Sequence, residues 1–190
     1  MHYLACPKCH EPLTLDGKSY RCHSGHCYDI AKQKYINLLL NPDKATNNPG
    51  DNKESLLCRQ QHLNKGYYDG ILNEVIRCIQ KYTHSPRQLL DLGCGEGYYT
   101  YRMKEMLHDH STIYGLDISK VGIQMATKYT KDIYWIVGNS KNIPIFDHSL
   151  DVITALFTVV NIQELKRCLK EKGYIPWDSN TYIIKSGTVS

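Results

Sequence analysis

Leu89-Leu90-Asp91-Leu92-Gly93-Cys94-Gly95-Glu96-Gly97-Tyr98-Tyr99-Thr100 decides how this chain folds. Residues 89–92 form a short, almost wholly apolar run after Pro86, and three glycines in five positions follow it. A run of that length bounded by turn residues reads as a buried strand. The glycines let the backbone turn tightly and approach a ligand where side chains would clash. A helical pattern then runs from about Tyr98 to Leu107, so the segment is a strand, a glycine turn and a helix, the layout of a nucleotide-binding βαβ unit.

The same alternation continues downstream. TIYGLDI (112–118), DIYWIVG (132–138) and DVITALF (151–157) read as strands, with GYI (173–175) as a short further one. Helical stretches from about Val121 to Lys128 and from about Ile162 to Lys170 lie between them. Strand and helix in alternation predict an α/β fold with a parallel sheet covered on both faces. Asp117 ends the second strand twenty residues after Gly97, where a carboxylate can accept both hydroxyls of an adenosine ribose.

The glycines are spaced GxGxG, whereas a nicotinamide site carries GxGxxG. This form resembles the first motif of class I S-adenosylmethionine-dependent methyltransferases, Rossmann-like domains whose ligand has no pyrophosphate. The resemblance implies cofactor binding through Asp91, Gly93, Gly95, Glu96, Gly97 and Asp117. Gly138 to Asp147 (GNSKNIPIFD) with Ser149 to Ile153 (SLDVI) is similar to the third conserved block of that superfamily, which implies that Asn139 and the backbone of Ser140 meet the adenine. The alternative for Asn139 is simply to end a strand.

The N-terminus carries different chemistry. Cys6-Pro7-Lys8-Cys9 is followed, after twelve intervening residues, by Cys22 and His26. Four nitrogen and sulfur ligands in two close pairs suit tetrahedral zinc, and a full set of four leaves no position for water, so the metal is expected to be structural. Cys27 and His23 are alternative ligands. Residues 1–30 are too few to make much of a core unaided, and a metal is expected to hold them.

The remaining composition sets bounds. The chain has 190 residues, 42% hydrophobic and 22% charged, with a formal charge of +4. That is enough for one mid-sized domain and a small appendage, and the charge is too dispersed to identify a nucleic-acid binder by itself. Eight cysteines, most of them scattered, indicate a reduced compartment. With no apolar run of membrane-spanning length and no leader-like start, the expected location is cytoplasmic, with no membrane partner. Asn41 to Lys53 (NPDKATNNPGDNK) reads as a linker, dividing a zinc-binding module at 1–40 from a domain at 54–190. Beyond it, Ile71, Leu72, Val75, Ile76 and Ile79 form a helical core stripe, with Gly66 separating two helices.

Taken in order, CPxC, CxxxH, DIAKQKYINLL (29–39), PGD (49–51), RQQHLNKGYY (59–68) and DLGCGEGYYT (91–100) resemble the 23S ribosomal RNA guanine-N1 methyltransferases, from about Cys6 to Gly173. The resemblance implies S-adenosylmethionine and structural Zn2+ as cofactors, a 23S ribosomal RNA hairpin as partner, and Tyr68 as a cofactor contact, with Tyr67 the alternative aromatic. It also implies the macrolide protection that some members give, and it leaves a homodimer open. No residue is identified as the catalytic base.

The chain departs from the family at Leu156 to Val160 (LFTVV), where an apolar-Ala-Pro element is expected, and after Gly173, where YIPWDSNTYIIKSGTVS replaces a continuous strand and a further half-domain with a late histidine. A truncated or frameshifted chain is therefore expected, with an incomplete sheet, an open edge at the last strand and weak methyl transfer. Two competing readings are a class I enzyme for a small molecule such as a quinone and a non-catalytic RNA-binding relic.

Overall fold

Each apolar run read between residues 88 and 154 is a strand of one parallel sheet in the computed structural model, which describes residues 3–40, 53–63, 65–83, 87–107, 111–177 and 182–185. The strands are β5 (Gln88–Leu92), β6 (Thr112–Asp117), β7 (Tyr134–Val137) and β8 (Leu150–Thr154). Ahead of them in the chain come β1 (Thr14–Asp16), β2 (Ser19–Arg21), β3 (Cys27–Asp29) and β4 (Tyr35–Asn37), and after them β9 (Leu169–Trp177) and β10 (Tyr182–Lys185). The large sheet runs β10-β9-β8-β5-β6-β7-β4, parallel throughout except for the antiparallel β9–β10 pair. β1, β2 and β3 form a separate antiparallel sheet.

One sequence expectation is corrected here. Pairing does not break after Gly173: β9 continues through Trp177, and β10 lies along the edge that was expected to stay open. Residues 35–37, placed by sequence in the zinc-binding segment, also extend the large sheet, with Ile36 opposite Ile136. The expected linker falls almost wholly at 41–52, outside the described residues.

The helices are α1 (Lys53–Leu63), α2 (Asp69–Tyr82), α3 (Tyr98–Met106), α4 (Lys120–Ala126) and α5 (Ile162–Cys168). Because side chains alternate along a strand, the sheet offers two apolar faces. On one, Leu89, Ile113, Trp135, Val137 and Val152 pack with the stripe of α2 (Leu72, Val75, Ile76, Ile79) and with Met103 and Ile123 of α3 and α4. On the other, Leu90, Leu92, Leu116, Ile136 and Ile153 pack with Leu165 and Cys168 of α5 and with Leu4, Cys6, Leu13, Tyr20 and Cys22. The N-terminal segment thus has no core apart from the sheet. Its solution to being short is to share the sheet's core, the metal ligands included. No described helix is long and apolar enough to cross a membrane.

Each face also buries one polar cluster. Among the helices, Asp91 accepts hydrogen bonds from Thr100 Oγ1 at 2.5 Å and Thr154 Oγ1 at 2.8 Å. Opposite, Tyr114 Oη donates to Gln88 Oε1 at 2.9 Å and accepts from the Tyr3 amide at 3.0 Å, joining the N-terminal segment to β5 and β6.

Candidate functional site

Two turns build the metal cluster. In the first, the His10 amide donates to Cys6 O at 2.8 Å and the Cys6 amide to Glu11 O at 2.8 Å. In the second, Gly25 donates to Cys22 O at 3.0 Å and the Cys22 amide to His26 O at 3.1 Å. They bring together one ligand atom each from Cys6, Cys9, Cys22 and His26, all within 4.8 Å of one another. His26 Nδ1 lies 3.5, 3.4 and 3.3 Å from the sulfurs of Cys6, Cys9 and Cys22, and Cys9 and Cys22 are 3.6 Å apart. A tetrahedron with edges of that size has its centre about 2.1 Å from each vertex, within the range of zinc–nitrogen and zinc–sulfur bonds. The residues present therefore fit zinc. Tyr28 Oη, 3.2 Å from Cys6 Sγ, is positioned to donate to a thiolate. Cys27 and His23, the alternative ligands, are exposed and outside the cluster.

The second site lies at the carboxyl ends of β5 and β6, where ligands bind in open α/β sheets. A cavity of about 400 Å3 is walled by the glycine loop (Gly93, Cys94, Gly95, Glu96), by Tyr68 and Tyr99, and by Arg59 and His62 of α1. Tyr68 borders it at the start of α2, whereas Tyr67 is not among its walls. Gly95 has φ +56°, a left-handed conformation that favours glycine, and a Cβ there would meet only the tip of Arg59 at 3.7 Å and Leu56 at 4.0 Å, which leaves room beside the loop. Asp117 aligns the loop: its Oδ2 accepts from the Gly95 amide at 2.9 Å and its Oδ1 from the Ser119 amide at 2.7 Å.

Asp91 and Gly97, read from sequence as cofactor contacts, stand behind the loop instead. Asp91 is 2% exposed and engaged by the two threonines. A Cβ on Gly97 would lie 2.6 Å from that of Ala126 and 2.8 Å from the Trp135 ring, so this glycine serves close packing of α3 on the sheet.

Three carboxyl groups, Asp91, Glu96 and Asp117, crowd the glycine loop. Burial raises the carboxyl of Asp91 to about 6, opposed by the threonine hydroxyls, and raises that of Glu96 against the pull of Arg59. Asp117 raises both further, a sign of mutual repulsion among acids crowded round one loop. Tyr99 adds a donor. Burial pushes its phenol up to about 12, and its hydroxyl is buried at the cavity wall with no partner among the described residues.

Asn139 and Ser140 lie in the turn after β7. The Gly138 amide donates to Asp117 O at 2.9 Å, which sets this turn beside Asp117. Asn139 Oδ1 accepts from the Lys141 amide at 3.0 Å and Asn139 O from the Asn142 amide at 3.1 Å, so the side chain shapes the turn as well as ending the strand.

Sequence reasoning missed Arg59, His62, Tyr99 and Phe157 as cavity walls. His62 Nδ1 lies 2.9 Å from Cys58 O, and since a carbonyl only accepts, Nδ1 is the donor. Phe157 is 75% exposed with φ +57°, a left-handed conformation rare for a bulky residue. It sits in the LFTVV element that departs from the family pattern, and that departure was its one signal in the sequence.

Comparison with known proteins agrees with this two-part architecture. Residues 4–46 match the zinc-ribbon family described as RlmA, N-terminal, and residues 90–175 match the family described as methyltransferase domain. The 23S rRNA (guanine(748)-N(1))-methyltransferase of Streptomyces fradiae is 26% identical over 176 residues, 91% of this chain and 61% of that protein. YxjB of Bacillus subtilis, named as a candidate enzyme of the same guanine-N1 type, is 29% identical over 90% of this chain and 61% of its own length. The chain thus spans about three-fifths of these relatives. A demethylmenaquinone methyltransferase of Thermotoga maritima is 37% identical, but over 46% of the chain and 38% of its own length. Among solved structures, an S-adenosylmethionine-dependent methyltransferase candidate of Methanococcus maripaludis superposes with a TM-score of 0.55 at 23% identity, covering 66% of each chain. DesVI of Streptomyces venezuelae gives 0.52 at 17%, covering 66% of this chain and 57% of its own. The fold is that of the class I methyltransferases, and the N-terminal segment is similar to a zinc ribbon.

Proposed function

We propose that this chain binds S-adenosylmethionine in the cavity beside the glycine loop and serves methylation of a guanine N1 in 23S ribosomal RNA. One observation carries the reading: the guanine-N1 relatives align with zinc ribbon and methyltransferase domain together, over about 90% of the chain, while the quinone enzyme aligns with less than half. Residues 1–40 as a zinc-binding module and 54–190 as the methyltransferase domain are then a division of labour, since the two share one core.

In this reading Cys6, Cys9, Cys22 and His26 hold zinc. Asp117 accepts from the ribose, Asn139 and the Ser140 backbone border the adenine, and Gly93, Gly95, Glu96 and Tyr68 surround the methionine end. Asp91 and Gly97 support the loop from behind. The bound cofactor supplies an electrophilic methyl group on a sulfonium. The chain's own residues provide position and charge: the acidic loop suits a cation, and the Tyr99 hydroxyl is a donor for a carboxylate. The guanine N1 proton must leave, and His62, an imidazole at the cavity wall, is the side chain we assign to receive it.

The test is calorimetric titration with S-adenosylhomocysteine, followed by incubation with S-adenosylmethionine and unmodified 23S ribosomal RNA. A methyl on N1 blocks the Watson–Crick edge, so primer extension should stop at one guanine. Asp117→Ala should weaken S-adenosylhomocysteine by roughly ten- to a hundredfold, about 1.5–3 kcal/mol. Methylation of a demethylmenaquinone with RNA untouched would replace this reading with the quinone one.

A further inference from the structure

We propose that the zinc turn Cys6–Cys9 positions the adenine side of the cofactor site through Asn142, so that zinc and cofactor bind cooperatively. The inference rests on the cofactor reading above and adds a coupling to it.

Asn142 is held at two points. Its backbone amide closes the turn on Asn139 O at 3.1 Å, and its side-chain Nδ2 donates to Pro7 O, inside the Cys6–Cys9 turn, at 3.0 Å. The neighbouring backbone is laced to the same N-terminal segment: the Ala5 amide donates to Pro144 O at 3.0 Å, the Phe146 amide to Tyr3 O at 3.0 Å, and Leu4 bridges Ile145. At its start the turn is tied to Asp117 through the Gly138 amide. From the other side α5 grips it, with Arg167 donating to Ile143 O at 2.7 Å and Ile145 O at 2.9 Å, and Glu164 accepting from the Ile143 amide at 2.8 Å.

Residues 139–146 therefore hang between two supports of different kinds. The α5 clamp is made of side chains and does not involve the metal ligands. The other support is the N-terminal segment, and its contact to Asn142 is the Pro7 carbonyl, whose direction depends on the shape of the Cys6–Cys9 turn; ligation of both cysteines to one ion fixes that shape. Metal binding that pre-shapes the turn lowers what the cofactor must order, and by linkage the cofactor must tighten metal binding by the same factor.

The experiment uses the full, zinc-loaded chain. In Asn142→Asp the side chain keeps its size but presents an oxygen to Pro7 O. We expect zinc content and melting temperature to be retained while the S-adenosylhomocysteine Kd rises about 3- to 10-fold, the effect of one hydrogen bond. Independently, the zinc Kd of the unaltered chain, measured by competition with a chromophoric chelator, should fall by a similar factor when S-adenosylhomocysteine is saturating. This second arm decides the matter if the variant does not fold. A zinc Kd indifferent to S-adenosylhomocysteine overturns the coupling, even if the variant binds the nucleoside less well. A chain that binds zinc but no S-adenosylhomocysteine overturns the cofactor reading, and the coupling with it.

Discussion

The two faces of the sheet are covered by different means. Helices α2, α3 and α4 bring apolar side chains of their own to one face, and no metal-ligand residue lies in that core. The opposite face is covered by α5 and by about thirty residues of turns and three-residue strands, whose apolar side chains lie among the metal ligands. Burial drives both, since each apolar side chain removed from water contributes about 1.5–3 kcal/mol. What differs is the backbone. A helix satisfies its own amides, whereas the short turns around Cys6 and Cys22 need an external constraint to hold their shape. Zinc here stands in for the regularity that a helix has by itself, and the methyltransferase sheet stands in for the core that the ribbon lacks.

The widest separation between the faces should come from removing the metal. Cys9→Ser with Cys22→Ser should abolish stoichiometric zinc by elemental analysis and lower unfolding stability by about 5 kcal/mol or more, because a whole sheet face loses its cover. An unchanged denaturation midpoint would mean that the ribbon and the sheet are independent after all. Leu89 and Leu90 are adjacent, fully buried, and point to opposite faces. Each truncation to Ala should cost about 2–5 kcal/mol in chemical denaturation, but Leu90→Ala alone should weaken zinc in a chelator competition.

The buried polar clusters give smaller and contrasting effects. Asp91 is titratable and Tyr114 is neutral across the accessible range. Burial raises the Asp91 carboxyl to about 6 from its ordinary 3.8, so the folded chain holds that proton more tightly than the unfolded one. Its contribution is whole below about pH 4 and is lost as pH climbs through about 6, roughly 1–3 kcal/mol in all. Denaturation of the parent against Asp91→Asn between pH 4 and 7 should show the parent losing ground as pH rises; a constant difference would place the carboxyl at its ordinary value. On the ribbon face, Tyr114→Phe should cost about 1 kcal/mol at every pH in that window, by removing the hydroxyl that joins Gln88 to the Tyr3 amide.

Much of this was legible from local chemistry. The strand, glycine turn and helix at 88–106 need only neighbouring residues, and Cys6, Cys9, Cys22 and His26 announce themselves by spacing. The rest depends on partners remote in sequence. Tyr35 to Asn37 reads like any short apolar run until β7 lies beside it. Nothing near Asn142 signals that Pro7 receives its amide, nor does the α1 pattern show that Arg59 and His62 overhang the glycine loop. The packing of Asp91 and Gly97 against the sheet is hidden for a related reason: motif position marks the loop but not which side of it a residue faces. After Gly173 the unfamiliar sequence still continues as a strand, with β10 paired along it from Tyr174 to Trp177.

The position of β4 at the far edge of the sheet has a bearing on synthesis. Ile36 leaves the ribosome a hundred residues before Ile136, the residue it will sit beside. During that interval the first forty residues carry an apolar surface meant for strands that do not yet exist, at several seconds or more of elongation. Early capture of zinc would give the nascent segment a fixed shape while it waits, and the closing of β4 onto β7 would be among the last and slowest events, since contacts between such distant residues form only after a long loop is ordered.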